Sequence, residues 1–203
     1  MKYLAFDTSG THLTVAVGGN KKIVSAIAEC SHSHSVLLMP EIEKCLNQAQ
    51  TSLSEIDVFA CSVGPGSFTG IRIGVSTAKA FAYANSKKVL GVTSFESLAY
   101  NTIEKVKKLT LIDARHDNFY ACGFDGENNV ILEPCFKSKQ EIIDLYKDFL
   151  IISDTEIKDL NAVKGDLASG FVKAVEAKLS LSVTERESLV PLYVKKSQAE
   201  EEL

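Results

Sequence analysis

The sequence predicts an α/β protein of two lobes, each built on a mixed β-sheet flanked by helices. Two observations carry that expectation. Residues 1–100 read β-β-β-α-β-α-β-α, a hairpin meander followed by helical crossovers. The β-β-β-α-β order then starts again in the second half, although no residue-level repeat is legible. The lobes are placed at residues 1–100 and 101–203, the second one short, with the final segment able to pack back on the first lobe.

Residues 3–6 are a short apolar run, as in a buried strand, and end at the polar turn Asp7-Thr8-Ser9-Gly10. Leu13, Val15 and Val17 alternate with smaller residues at the period of a strand. Gly18-Gly19-Asn20 is a hairpin signal, and residues 23–28 are the return strand. A helix over 34–49 follows, capped by Ser33 or Ser35, with Pro40 in its first turns and Leu38, Ile42, Cys45, Leu46 and Ala49 on one face. Residues 56–63 are a buried strand, 71–85 a helix, 89–92 a strand, and Ser94 with Ser97 opens a helix ending at Tyr100. In the second half, strands are expected at 109–112, 118–124, 130–136 and 150–153, and helices at 141–149 and 167–179. The acidic tail, 197–203, is expected to fray.

Composition excludes several classes. The 203 residues are 45% hydrophobic with a net charge of −4, so no basic face for gripping nucleic acid alone is expected. Lys105, Lys107 and Lys108 are read as a solvated edge. Five cysteines without a C-x-x-C pair argue against a disulfide framework or a thiolate zinc site. No charged leader with an apolar stretch and no long apolar run is present, which points to the cytoplasm and away from the membrane.

The most informative stretch is Gly64-Pro65-Gly66-Ser67-Phe68-Thr69-Gly70, a glycine-rich turn opening a helix. Free amides and the positive end of the helix dipole suit a phosphate there. The spacing satisfies neither standard nucleotide motif: Thr69-Gly70 stands where a Walker loop needs Gly-Lys, and Thr69 where a dinucleotide fingerprint needs its third glycine. A capped tight turn explains the stretch as well. Gly70, Gly74, Ala78 and Ala82 form a stripe of small residues that allows close backbone approach, either within the chain or to a partner. His32-Ser33-His34 lacks the one-face geometry of a helical metal site. No catalytic nucleophile set is legible, and Asp113-Ala114-Arg115 is read as a structural ion pair.

Together, Asp7-Thr8-Ser9, His34-Ser35, Leu37 to Pro40, Gly64 to Gly74, Gly91 to Ser94, Ile112 to Arg115 and Pro191 to Val194 resemble the TsaB family of the bacterial threonylcarbamoyladenosine (t6A) machinery, formerly labelled glycoprotease-like or M22. The resemblance is strong over 1–120 and thin beyond. It implies an actin-like (ASKHA) fold and a non-catalytic subunit that binds the paralogue TsaD and the ATPase TsaE. Together these transfer threonylcarbamoyl to N6 of adenosine 37 in tRNAs reading codons that start with A. It also implies that the chain pairs with itself when alone and meets tRNA indirectly. It implies a vestigial nucleotide site at Asp7, Thr8 and Ser9, with no cofactor required and ATP or ADP held only weakly or within the complex. The catalytic paralogue carries two metal-binding histidines four residues apart, and here Leu38 takes the second place, so no metal is expected. The first lobe's helices would form the partner surface, through Leu38, Glu41, Cys45, Gly70, Arg72, Ile73, Gly74 and Thr77, so Gly74→Leu would abolish pairing yet leave the monomer folded. Val36 and His116-Asp117-Asn118 depart from the family pattern. An actin-like ATPase using Asp7-Thr8-Ser9 and the Gly64–Gly70 turn is the alternative, and an M22-type metallopeptidase a further one.

Overall fold

The computed structural model describes residues 1–19, 22–27 and 33–195. Asn20, Ala28, Cys30, His32 and the acidic tail therefore lie outside the described residues. The first sheet holds β1 (Tyr3–Asp7), β2 (Leu13–Gly18), β3 (Ile23–Ile27), β4 (Val58–Gly64) and β5 (Lys88–Thr93) in the order β3-β2-β1-β4-β5. β1 is antiparallel to β2 and parallel to β4. The second sheet holds β6 (Lys108–Asp113), β7 (Asn118–Phe124), β8 (Val130–Ser138), β9 (Leu150–Ser153) and β10 (Ala162–Lys164) in the order β10-β9-β6-β7-β8. Strand for strand this is the same sheet with the same parallel and antiparallel pairs. The weak echo in the sequence is thus a full duplication of topology, the two-lobed actin-like architecture.

Among the described residues five α-helices complete the layers: α1 (His34–Ala49), α2 (Phe68–Asn85), α3 (Ser94–Ala99), α4 (Lys139–Leu145) and α5 (Leu167–Lys178). Leu38, Ile42 and Cys45 of α1 and Ile71, Val75 and Ala78 of α2 cover one face of the first sheet. Phe171, Val172 and Val175 of α5 cover its other face against Ala5, Ala60 and Val92. α3 packs Phe95 and Leu98 onto the second sheet, and α4 places Ile142 on that sheet's far side. α3 and α5 therefore share the central layer between the sheets. A Cβ on Gly170 would overlap the Ser97 carbonyl oxygen, so only glycine lets these helices approach so closely.

Several ends differ from the sequence expectation. α2 starts three residues earlier because Ser67 caps it, its Oγ accepting the Gly70 N–H at 3.2 Å. α3 is opened by Thr93, with Glu96 completing a capping box, rather than by Ser94 and Ser97. Pro40 sits in the second turn of α1, beyond the first-turn positions. Lys108 is a correction: it is buried and its ammonium meets Asn128, and burial lowers its pKa, whereas Lys105 and Lys107 are exposed. After α5 the chain returns to the first lobe. Val183 bridges Val89 on the free edge of β5, and the Leu192 N–H donates to the Val63 carbonyl at 2.8 Å.

Candidate functional site

The carboxyl ends of β1, β4 and β5 meet at one edge of the first sheet, where open α/β sheets place their sites. Asp7 ends β1 and is 5% exposed. Its Oδ1 accepts the Ser9 N–H at 2.8 Å and the Ser9 hydroxyl at 2.7 Å. The Ser62 hydroxyl donates to Ser9 Oγ at 3.1 Å, and Ser94 Oγ lies 3.3 Å from Ser9 Oγ. Burial raises the Asp7 carboxyl above its ordinary range, and the Ser9 hydrogen bonds oppose that shift. Thr8 turns away and donates to the Gly70 carbonyl at 2.7 Å. Of Asp7, Thr8 and Ser9, only Ser9 reaches the cleft between the lobes.

The Gly64–Gly70 turn lies directly on this strand end. Gly64 takes a positive φ of 97°, which a side chain rarely adopts. A Cβ on Gly66 would overlap the Ser9 carbonyl oxygen, and one on Gly70 the Thr8 carbonyl oxygen. The Ser67 N–H donates to that Ser9 carbonyl at 2.6 Å, and the Gly70 N–H is taken by Ser67. Two of the amides a phosphate would use are thus paired inside the chain, and the turn serves as a close-packed cap.

The cleft encloses about 630 Å³ and is also lined by Ser67, Ser94, Asp113, Arg115, Tyr120 and Asp154. Asp154 Oδ1 accepts the Asp113 N–H at 3.2 Å. Burial, with the nearby Asp113 charge adding to it, pushes the Asp154 carboxyl up to about 6. Asp113 does not form the expected ion pair with Arg115. Its Oδ1 accepts the Arg115 N–H at 2.8 Å and so holds a turn in which Arg115, His116 and Asp117 all have positive φ. Gly165 and Gly170, the two glycines after residue 150, pack against Leu98 and Ser97 of α3.

The comparisons with known proteins agree with this geometry. A family model described as TsaD, tRNA N6-adenosine threonylcarbamoyltransferase, matches residues 23–182. The tRNA threonylcarbamoyladenosine biosynthesis protein TsaB of Buchnera aphidicola subsp. Schizaphis graminum is 30% identical over 174 residues, spanning 79% of this chain and 83% of that one. This chain belongs to the TsaB family. TsaB of Escherichia coli is 30% identical over 134 residues, 64% of this chain and 58% of its own length. The structure of YeaZ from Pseudomonas aeruginosa, 23% identical, superposes with a TM-score of 0.79 over 95% of this chain and 99% of that one, which shows the shared fold. TsaB proteins are named for biosynthesis of the t6A modification of tRNA.

The paralogue's metal pair does not fit this TsaB-family chain. His34 is buried with Nε2 3.2 Å from the His12 carbonyl oxygen, and Leu38, four residues on, lies in the core. Among the described residues no three His, Cys, Asp or Glu side chains gather as a metal would require. Cys45, Cys61 and Cys122 are buried core residues and Cys135 is half-buried.

The partner surface expected from sequence needs correcting at four positions. Leu38 and Cys45 are buried beneath α1 in the chain's own core. Gly70 and Gly74 face the chain's own sheet, where a Cβ on Gly74 would stand 2.8 Å from Thr8 Oγ1 and 3.8 Å from Cys61 Cβ. The small-residue stripe, continued by fully buried Ala78 and Ala82, therefore brings α2 down onto β1 and β4 and serves intramolecular packing. Arg72 is exposed and Ile73 and Thr77 are half-buried. Half-buried Glu41 is tied to Ser25 at 2.8 Å and to Lys44. The outward faces of these helices also carry Val36, Met39, Phe68 and Tyr83, all exposed apolar side chains that the sequence reading left out.

Proposed function

We propose that this chain is a non-catalytic, activating subunit of the t6A machinery, which docks the paralogue TsaD through the outer faces of α1 and α2. In that assembly, with the ATPase TsaE, threonylcarbamoyl passes to N6 of adenosine 37, and tRNA is met through the complex. The chain works in the cytoplasm and pairs with a second copy when the paralogue is absent.

The observation that carries the reading is the position of the exposed apolar side chains. Val36, Met39 and Phe68 are 70%, 50% and 43% exposed on α1 and α2, while the second lobe packs against the opposite face of the sheet through α5. Buried aliphatic area contributes roughly 25 cal/mol per Å², so a partner covering these groups gains directly. The cleft supports the same reading from the other side. Two amides of its turn, those of Ser67 and Gly70, are already paired within the chain, and buried Asp7 accepts the Ser9 hydroxyl.

Met39→Glu and Thr77→Arg test it. Both place a charge on the proposed face, at an exposed and a half-buried position respectively. Each variant is expected to keep the wild-type melting temperature and to lose the heterodimer mass in light scattering with purified TsaD. Undiminished heterodimer from both variants contradicts the docking face. Steady turnover of Mg·ATP by the purified single chain contradicts the non-catalytic assignment.

A further inference from the structure

Arg72 is held in a way that an ordinary surface arginine is not. Its guanidinium carbon lies 3.8 Å from the centroid of the Phe68 ring, one turn back on α2. Its Nε donates to the Tyr193 hydroxyl at 3.0 Å. Tyr193 in turn stacks on Phe68, with ring centroids 5.1 Å apart and planes 29° apart. The tyrosine is placed by the neighbouring Leu192, whose N–H is bonded to Val63 and whose side chain packs into the cores of both sheets. Two contacts thus orient the guanidinium, with the Tyr193–Phe68 stack bracing both partners; no hydrogen bond uses its two terminal nitrogens, and among the described residues no carboxylate pairs with Arg72.

An arginine normally loses rotamer freedom when a partner fixes it, and here the chain's own contacts have already taken much of that loss. A planar fork held over the exposed Phe68 ring and hydrogen-bonded to the hydroxyl of exposed Tyr193 has the composition of an interface hot spot. We infer that the Phe68–Arg72–Tyr193 stack is a preformed acceptor for one carboxylate, an aspartate or glutamate side chain of the partner protein, bound in bidentate fashion. The inference rests on the docking face of the proposed function and adds the recognition chemistry at one end of it. Charge decides between a carboxylate and an RNA phosphate. The stack offers a single cation on a chain of net charge −4, whereas a polyanion is held by several cations that together release counterions.

The experiment is a calorimetric titration of purified TsaD into wild type, Arg72→Ala, Arg72→Lys, Tyr193→Phe, Thr77→Arg and Met39→Glu, with each melting temperature recorded and tRNA titrated into wild type and Arg72→Ala alongside. Arg72→Ala is expected to weaken binding roughly 10- to 100-fold, as for a charged hydrogen-bonded pair. Arg72→Lys should recover less than about half of that loss on a logarithmic scale, because an ammonium cannot form the fork. Tyr193→Phe keeps the ring and loses the hydroxyl, and should weaken binding several-fold, all at unchanged melting temperature. If Thr77→Arg blocks binding while Arg72→Ala binds as wild type, the carboxylate site is wrong and the docking face stands. If Thr77→Arg and Met39→Glu also bind as wild type, both fall. A loss of tRNA affinity in Arg72→Ala with unaltered TsaD affinity overturns the carboxylate in favour of a phosphate.

Discussion

Asp7 and Asp154 are both carboxylates raised by burial, and their surroundings give them different consequences. Asp7 accepts the Ser9 N–H and hydroxyl, whereas Asp154 accepts the Asp113 N–H, meets the Ser153 hydroxyl and faces the charge of Asp113. The folded-state value of Asp154, about 6, lies above its ordinary 3.8, so the native state favours the proton. Its contribution to stability is present in full below the ordinary value and is lost as pH rises through about 6. The melting temperature of Asp154→Asn should therefore change less than that of wild type between about pH 5 and pH 7.5, because the titrating group is gone. Equal changes in the two proteins, read by calorimetry, would show that Asp154 is not so held. Gly70 and Gly74 were legible as a close-approach stripe, but sequence spacing does not say what approaches. Side chains four apart share a face whether that face meets a partner or the chain's own sheet. With Thr8 beneath them, Gly70→Ala should cost about 1–3 kcal/mol or more in urea unfolding, as overpacking does. Gly74→Leu becomes a folding variant for the same reason and cannot serve as a clean test of pairing.

At the scale of elements, the long periodic segments were readable and their ends were not. α1, α2 and α5 follow their apolar faces, because a helix that covers a sheet must present one. Helix starts moved to where a hydroxyl could serve the first free amides, as at Ser67 for α2 and Thr93 for α3. Ser138 with Glu141 likewise starts α4 two residues earlier than its apolar pattern suggests. Ser67→Ala should lower stability by ~0.5–2 kcal/mol and leave the Gly70 N–H without its acceptor, a loss measurable by urea melts. If the variant matches wild type, the cap adds nothing to α2. β10 has three residues and carries too little alternation to be read. The segment after α5 has no helical or strand period. Its hold on the first lobe comes from single contacts such as the Val89–Val183 bridge and the Tyr193–Phe68 stack, which only the folded chain brings together.

For the whole molecule, the duplicated strand order explains both what the sequence disclosed and what it hid. Topology is set by hydrophobic period and connection rules, so two copies can share it without sharing residues. The same duplication places α3 and α5 in a common middle layer, which leaves α1 and α2 as the outer wall of the first lobe. A wall with exposed Val36, Met39 and Phe68 stands beside a cleft in which two of the turn's amides, those of Ser67 and Gly70, are paired within the chain, and that arrangement supports docking. Hydroxyl-radical footprinting of the chain, alone and mixed with TsaD, tests that claim most directly, because it reads side-chain cover residue by residue. The account predicts protection at Met39, Phe68 and Tyr193, with Leu145 and Leu181, exposed elsewhere on the surface, oxidised as before. Protection confined to the second lobe or the cleft, with Met39 and Phe68 as reactive as in the free chain, would contradict it.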